Sequence, residues 1–214
     1  MNTKTNQRLI ESAGTWFKKT VVTNHIENTK KLKDFKEFKY NPFLAPYLSV
    51  FLTGDLDANG IARILVLPRA LQTSVTTSFG TNMQFFISDV LADTYGSVIQ
   101  GLDIEYIDQI DGRTKYAQVK LGPNTINADD VKTIHDHFSS TRRLAATNRR
   151  DISLSDMVVG VLYGDDGQLS AHYRKLSYEH NYTVSVGKDF WLRLTGDDEF
   201  FDKLMVNLLN KAKN

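Results

Sequence analysis

Residues 102–121 read LDIEYIDQIDGRTKYAQVKL. In Leu102-Asp103-Ile104-Glu105-Tyr106-Ile107 apolar and acidic side chains alternate, which is the period of a half-buried strand. Asp111-Gly112 is a strong hairpin-turn signal. Tyr116-Ala117-Gln118-Val119-Lys120-Leu121 alternates again and is the predicted partner strand. Side chains two apart on a strand share a face. Asp103 and Glu105 therefore point one way together, as do Gln118 and Lys120. Pairing about the turn brings Asp103 near the Gln118/Lys120 pair.

Working outward, Gly122-Pro123-Asn124-Thr125 breaks the second strand, and Asn127 is placed to cap a helix running to about Asn148. Asp129 and Asp130 in its first turn suit the positive end of the helix dipole. Met157 to Tyr163, MVVGVLY, reads as a buried strand ended by Asp165-Asp166-Gly167, and Tyr182 to Val186 as another. Helices are predicted over 190–194 and 199–212. Upstream, residues 6–40 read as helical with Leu9, Ile10, Ala13, Trp16 and Phe17 on one face, broken near Asn41-Pro42. Stretches 43–53 and 58–72 are predicted helices, the second interrupted by Pro68, and Thr76-Thr77-Ser78 offers caps for a helix over 79–93. There is no internal repeat. The order predicts one α/β domain over 1–214: a mainly helical part to residue 98, then a small mixed β-sheet flanked by helices from 99.

Bulk properties narrow the function classes. The chain has 214 residues, 41% hydrophobic and 24% charged, values of a folded domain. No run of 18 apolar residues predicts a membrane span, and the polar start MNTKTNQRLIESAG lacks a secretory signal, so a cytoplasmic location is expected. Without cysteine, disulfides and thiolate metal sites are excluded. A net charge of +1 argues against a nucleic-acid coat protein but suits an enzyme that keeps carboxylates for a metal. Basic residues crowd Lys18 to Lys39 and Arg142 to Arg150. No Gly-x-Ser-x-Gly elbow or Walker loop is present. His135 and His137, two apart on a helix, face apart and do not read as a zinc pair. Trp16, Phe190, Trp191 and Leu194 read as core.

The residues at the hairpin suit phosphodiester hydrolysis. A hard cation such as Mg2+ takes oxygen ligands. Asp103 supplies the charged one, Gln118 a neutral oxygen directly or through water, and the Val119 carbonyl another. Lys120 is a compact cation able to orient water and lower its pKa. On spacing alone, such residues more often line a solvated strand face. The four polar groups of one face between apolar strands, followed by a turn and a helix N-terminus whose free amides would suit a phosphate, favour a site.

The skeleton of Asp103, a hairpin, then Gln118-Val119-Lys120 resembles the PD-(D/E)xK nuclease core. More specifically, GLDIEYID at 101–108, KLGPNTINADDV at 120–131, VVGVLYG at 158–164, VGKDFWLRLTGD at 186–197 and the earlier TSFGTNMQ at 77–84 resemble the PmeII family of type II restriction endonucleases. The resemblance implies a restriction-endonuclease-like fold and Mg2+-dependent cutting of double-stranded DNA at a fixed sequence. It implies Asp103, Gln118 and Lys120 as the catalytic set. Two departures stand out: Leu102 replaces the proline, and Gln118 replaces the second acid. The latter leaves one ligand uncharged, and Glu105 is the candidate to compensate. Cutting both strands of a symmetric site implies a homodimer. Candidate DNA contacts are Asn124, Thr125, Asn127, Arg142, Arg143 and Arg149, with capping as the competing role for Asn127. Gln84 is a candidate supporting residue. Two alternatives stay open: a repair or recombination nuclease of the same fold, and a DNA-binding module whose nuclease site has decayed.

Overall fold

The structure is a computed structural model describing residues 3–70, 82, 85–97, 99–149 and 151–213. The caps at Thr76-Thr77-Ser78, Gln84, Arg150 and nearly all of the 77–84 motif lie outside the described residues. The chain forms two compact units, Trp16–Asn82 and a larger one made of Met1–Thr15 with Met83–Asn214.

The larger unit is built on a four-stranded sheet in the order β1-β2-β3-β4: β1 Ile104–Ile107, β2 Thr114–Lys120, β3 Met157–Val161 and β4 Thr183–Val186. β1 pairs antiparallel with β2, Ile104 opposite Ala117. Gly112, at φ 71°, turns the loop between them, and its N–H reaches the Asp108 carbonyl at 2.8 Å. β2, β3 and β4 run parallel. Parallel neighbours need crossovers, supplied here by α6 (Ala128–Thr147) and α7 (Ala171–Tyr178). This is the mixed sheet flanked by helices that the alternation predicts.

Each sheet face is covered. Met157, Val159, Val161 and Val186 join Val131, Ile134 and Phe138 of α6 and Tyr173 and Leu176 of α7 in one core cluster. The other face meets α8 (Lys188–Thr195), whose Phe190, Trp191 and Leu194 are buried as predicted. The Phe190 ring lies 6.4 Å edge-on from Tyr106, and Trp191 donates its indole N–H to the Leu162 carbonyl at 2.9 Å. Gly160 interrupts the valines of β3 because a Cβ there would sit 2.3 Å from the Phe190 ring. α9 (Phe200–Lys213) packs beside α1 (Thr3–Trp16), with Asn207 and Lys211 both reaching Glu11. The short α5 (Ala92–Tyr95) follows a π-helical stretch, Ile87–Leu91, and precedes β1.

The smaller unit is helical. The single helix expected over 6–40 is instead subdivided. α1 ends at Trp16, a π-helical stretch spans Phe17–Val22, α2 covers Thr23–Lys30, and 3-10 turns occupy Lys31–Lys33 and Phe35–Glu37. Asp34 caps the second of these turns from the Lys36 N–H, a local bond that competes with the helix. α3 (Leu44–Thr53) and α4 (Ala58–Pro68) follow, with Pro68 the last residue of α4 and residues 69–70 continuing as a π-helical turn. No described helix is long and apolar enough to cross a membrane.

Candidate functional site

β2 outruns β1. The register that pairs Ile104 with Ala117 would set Leu102 against Val119, but the chain leaves the sheet there, Leu102 turning its N–H to the Ile99 carbonyl. Asp103 keeps one ladder bond, its N–H to the Ala117 carbonyl at 2.9 Å. The Val119 N–H, two residues on and pointing the same way, is taken by the Asp103 carboxylate at 2.7 Å. A side chain thus stands in for a missing strand. The Val119 carbonyl opens to that same edge.

Gln118 and Lys120 flank Val119 on the face that meets α6. Gln118 is 7% exposed. Its amide nitrogen donates to the Gly101 carbonyl and lies 2.6 Å from Nδ1 of His137 on α6. Burial pushes the Asp103 carboxyl above its ordinary value, outweighing the Val119 N–H and the nearby Lys120 and His137, which pull it down. The structure therefore brings Asp103, Gln118, Val119 and Lys120 together, and adds His137, which the sequence reading considered only as half of a zinc pair. His137 sits one residue before buried Phe138 and four before buried Thr141. A histidine at the margin of an apolar stripe was the available signal.

Glu105 shares the face but stands one rung away, opposite Tyr116, where its carboxylate accepts the Ser97 hydroxyl at 2.6 Å. It lines a hollow of about 440 Å³ with Tyr116, Thr141 and Asn148.

The predicted DNA contacts divide. Asn124 is exposed in the loop after β2. The Thr125 hydroxyl donates to the Gly122 carbonyl at 2.8 Å and lies 3.2 Å from the Tyr173 hydroxyl, closing that loop. Asn127 accepts the Asp129 and Asp130 N–H groups while Asp130 accepts its own, a capping box. The Asp129 and Asp130 amides at this helix end are therefore taken by Asn127 rather than free for a phosphate. Arg142 and Arg143 lie on α6 beside His135 and Ser139 around an open hollow of about 590 Å³. Arg142 also donates to the Ile152 carbonyl at 2.9 Å. α6 ends at Thr147, and Arg149 sits beyond it at φ 56°, so the seven-residue stripe from Arg142 to Arg149 does not form on one helix.

Among the described residues, no three His, Cys, Asp or Glu side chains gather as a metal cluster. The donor set at the strand end is one desolvated carboxylate, one backbone carbonyl and one amide. It fits a single Mg2+, which keeps several waters and takes one or two carboxylates. Burial disfavours the Asp103 charge more than Lys120 and His137 compensate it, and a divalent ion there would supply the remaining compensation.

A charged constellation at the carboxyl end of a parallel strand is where open α/β folds carry their sites. Residues 7–214 match the family of the type II restriction endonuclease EcoO109I, and the chain belongs to that family. Its class is thus a site-specific deoxyribonuclease acting on DNA. The matched family is not the PmeII family to which the motifs are likened above; the two agree on type II restriction endonuclease. No curated protein matches the chain.

Proposed function

We propose that this protein is a Mg2+-dependent restriction endonuclease that cuts both strands of duplex DNA at a fixed sequence, working as a homodimer through a PD-(D/E)xK-type site of Asp103, Gln118 and Lys120. The observation that carries this reading is the Asp103 carboxylate bound to the Val119 amide, with Gln118 and Lys120 on either side of Val119. Asp103, the Val119 carbonyl and the Gln118 amide oxygen would hold the ion, which supplies Lewis-acid charge at the scissile phosphate. Lys120 orients the attacking water and stabilises the hydroxide it becomes. Burial disfavours the charged form of Asp103, and a cation bound beside it would favour that form. Glu105 stands outside the ligand set in this reading, since the Ser97 hydroxyl holds it a rung away. Arg143 and Asn124 contact the DNA backbone, while Thr125 and Asn127 shape the loop. Gln84 keeps the supporting role expected from sequence.

The test is plasmid digestion by the purified protein with and without Mg2+, followed by sequencing of the fragment ends. Ends at one sequence support the reading; scattered ends point to a repair nuclease, and binding without cleavage to a decayed site. Lys120→Ala is expected to lose cutting by orders of magnitude and keep DNA binding, and cleavage at the parent rate would remove Lys120 from the site. Light scattering is expected to give about twice the chain mass of 24.3 kDa.

A further inference from the structure

A glutamine in place of an acid invites the view that the site is a weakened version of a two-carboxylate one. The surroundings of Gln118 are instead those of an amide. Both contacts of its Nε2 are with acceptors: the Gly101 carbonyl and His137 Nδ1, the latter with the ring proton on Nε2. A carboxylate at 118 would bring no hydrogen to either. It would set a negative oxygen against a carbonyl oxygen and an imidazole lone pair, inside the protein, where unpaired polar groups are most costly.

Gly101 and His137 are also fitted to each other. Gly101 has φ +88°, and a Cβ built on it would meet the His137 ring at 2.8 Å. The bare backbone at 101 lets the ring close down until Gly101 and His137 accept the two hydrogens of one amide nitrogen. An amide group is planar, so fixing its nitrogen on two partners confines its oxygen to the plane that the nitrogen and those two partners define.

We propose that Gln118 works as an amide in its own right, and that His137, with the Gly101 carbonyl, is the positioning residue that aims its oxygen as a neutral ligand toward the cation held by Asp103. The proposal rests on the metal site put forward above and deepens it. The site is then a one-carboxylate site by construction, with the neutral ligand oriented from α6. Groups that orient a metal ligand typically cost roughly 10- to 100-fold in metal affinity when removed.

The experiment compares His137→Ala, His137→Gln, Gln118→Glu and Asp103→Asn with the parent protein. Mg2+ alone is titrated by calorimetry without DNA, and plasmid cleavage is measured against Mg2+ to separate half-saturation from plateau rate. His137→Ala is expected to raise the Mg2+ requirement roughly 10- to 100-fold in both measurements while the plateau changes little. His137→Gln, whose side-chain oxygen can accept the same hydrogen, is expected to recover most of the loss. Gln118→Glu is expected to bind Mg2+ no better than the parent and to cut more slowly. Tighter Mg2+ binding by Gln118→Glu, or parent-like titration of His137→Ala, overturns the proposal. Should thermal melting find His137→Ala unfolded, His137→Gln and Gln118→Glu decide. If Asp103→Asn loses Mg2+ while His137→Ala does not, only this proposal falls. If Asp103→Asn binds Mg2+ normally, the metal site itself is misplaced.

Discussion

Strand β2 has a lysine at each end, and the two live in different electrostatic worlds. Near its start, the Lys115 ammonium is buried, its side chain 4% exposed, 2.6 Å from Asp111 and 3.1 Å from Asp156. Arg113 adds a two-pronged bond to Asp156. Two cations thus face two carboxylates. Burial pushes both acids up, but the hydrogen bonds and charges of Lys115 and Arg113 win, and both carboxyls lie below their ordinary value. At the far end, Lys120 faces Asp103, and there burial wins. The same residue types on one strand make a balanced cluster at one end and a charge deficit at the other. A balanced cluster holds the fold; a deficit is where a cation from solution has work to do. This contrast, more than the presence of an aspartate and a lysine, separates the candidate site from an ion pair that only ties strands together.

The largest expected effect tests the deficit directly. Asp103→Asn removes the only carboxylate proposed to bind the ion, so cleavage is expected to fall by orders of magnitude. Folding stability is expected to hold or rise. A carboxyl whose pKa is raised in the folded state gives its full stabilisation below the unfolded pKa and loses it as pH climbs through the folded one. At neutral pH its ionised form is therefore a burden that an amide lacks. Urea unfolding at pH 7 is the measurement. A clear loss of stability in Asp103→Asn would make the two ends alike and dissolve the contrast.

The next effect lies at the balanced end. Asp156→Asn leaves Lys115, buried, with Asp111 as its one carboxylate, and breaking one partner out of a buried pair costs about 3 kcal/mol. Cleavage per folded molecule is expected to stay at the parent value. The pH dependence has a sign as well. Asp156 sits below its ordinary value, so its contribution is complete above the unfolded carboxylate pKa and drains away as pH falls through the lower folded value. Urea midpoints followed from pH 7 into the acid range are expected to fall more steeply in the parent than in Asp156→Asn. Parallel curves would mean that Asp156 is not the acid-sensitive group.

Much of this was legible in residues 102–121, and the rest had physical reasons to be hidden. Alternation and the Asp-Gly turn give both strands and the shared face, which brings Asp103 near Gln118 and Lys120. A two-residue turn at 111–112 would set Asp103 against Lys120, whereas the observed register, Ile104 opposite Ala117, is shifted by two residues and keeps the same face. The bond from Asp103 to the Val119 amide depends on the chain leaving the sheet at Leu102, an event of tertiary packing. His137 reaches Gln118 only because α6 crosses over the sheet, and Asp156 reaches Lys115 from a different strand entrance. α7 escaped notice because its eight residues bury only Tyr173 and Leu176, too few for a helical period to stand out. The helix expected over 6–40 was overextended because periodicity does not register a competing local bond such as the Asp34 cap.

The smallest expected effect falls between the two ends. Glu105 shares the site face, and in a site with one carboxylate ligand it is the obvious reserve. Its carboxylate is held by Ser97 at 2.6 Å, one rung from Asp103. Residues two apart on a strand stand about 6.6 Å apart along it. That is far from the roughly 2.1 Å that a directly bound Mg2+ requires of each ligand. Glu105→Gln keeps an oxygen for the Ser97 hydroxyl and removes only the charge, so stability is expected to shift by about 1 kcal/mol at most. The Mg2+ concentration for half-maximal plasmid cleavage is expected to stay where it is in the parent. If the variant instead needs much more Mg2+, Glu105 leaves Ser97 for the ion when DNA is bound. The boundary of the charge deficit then moves one rung along β1, and the site becomes a two-carboxylate one with Gln118 as its third, neutral member.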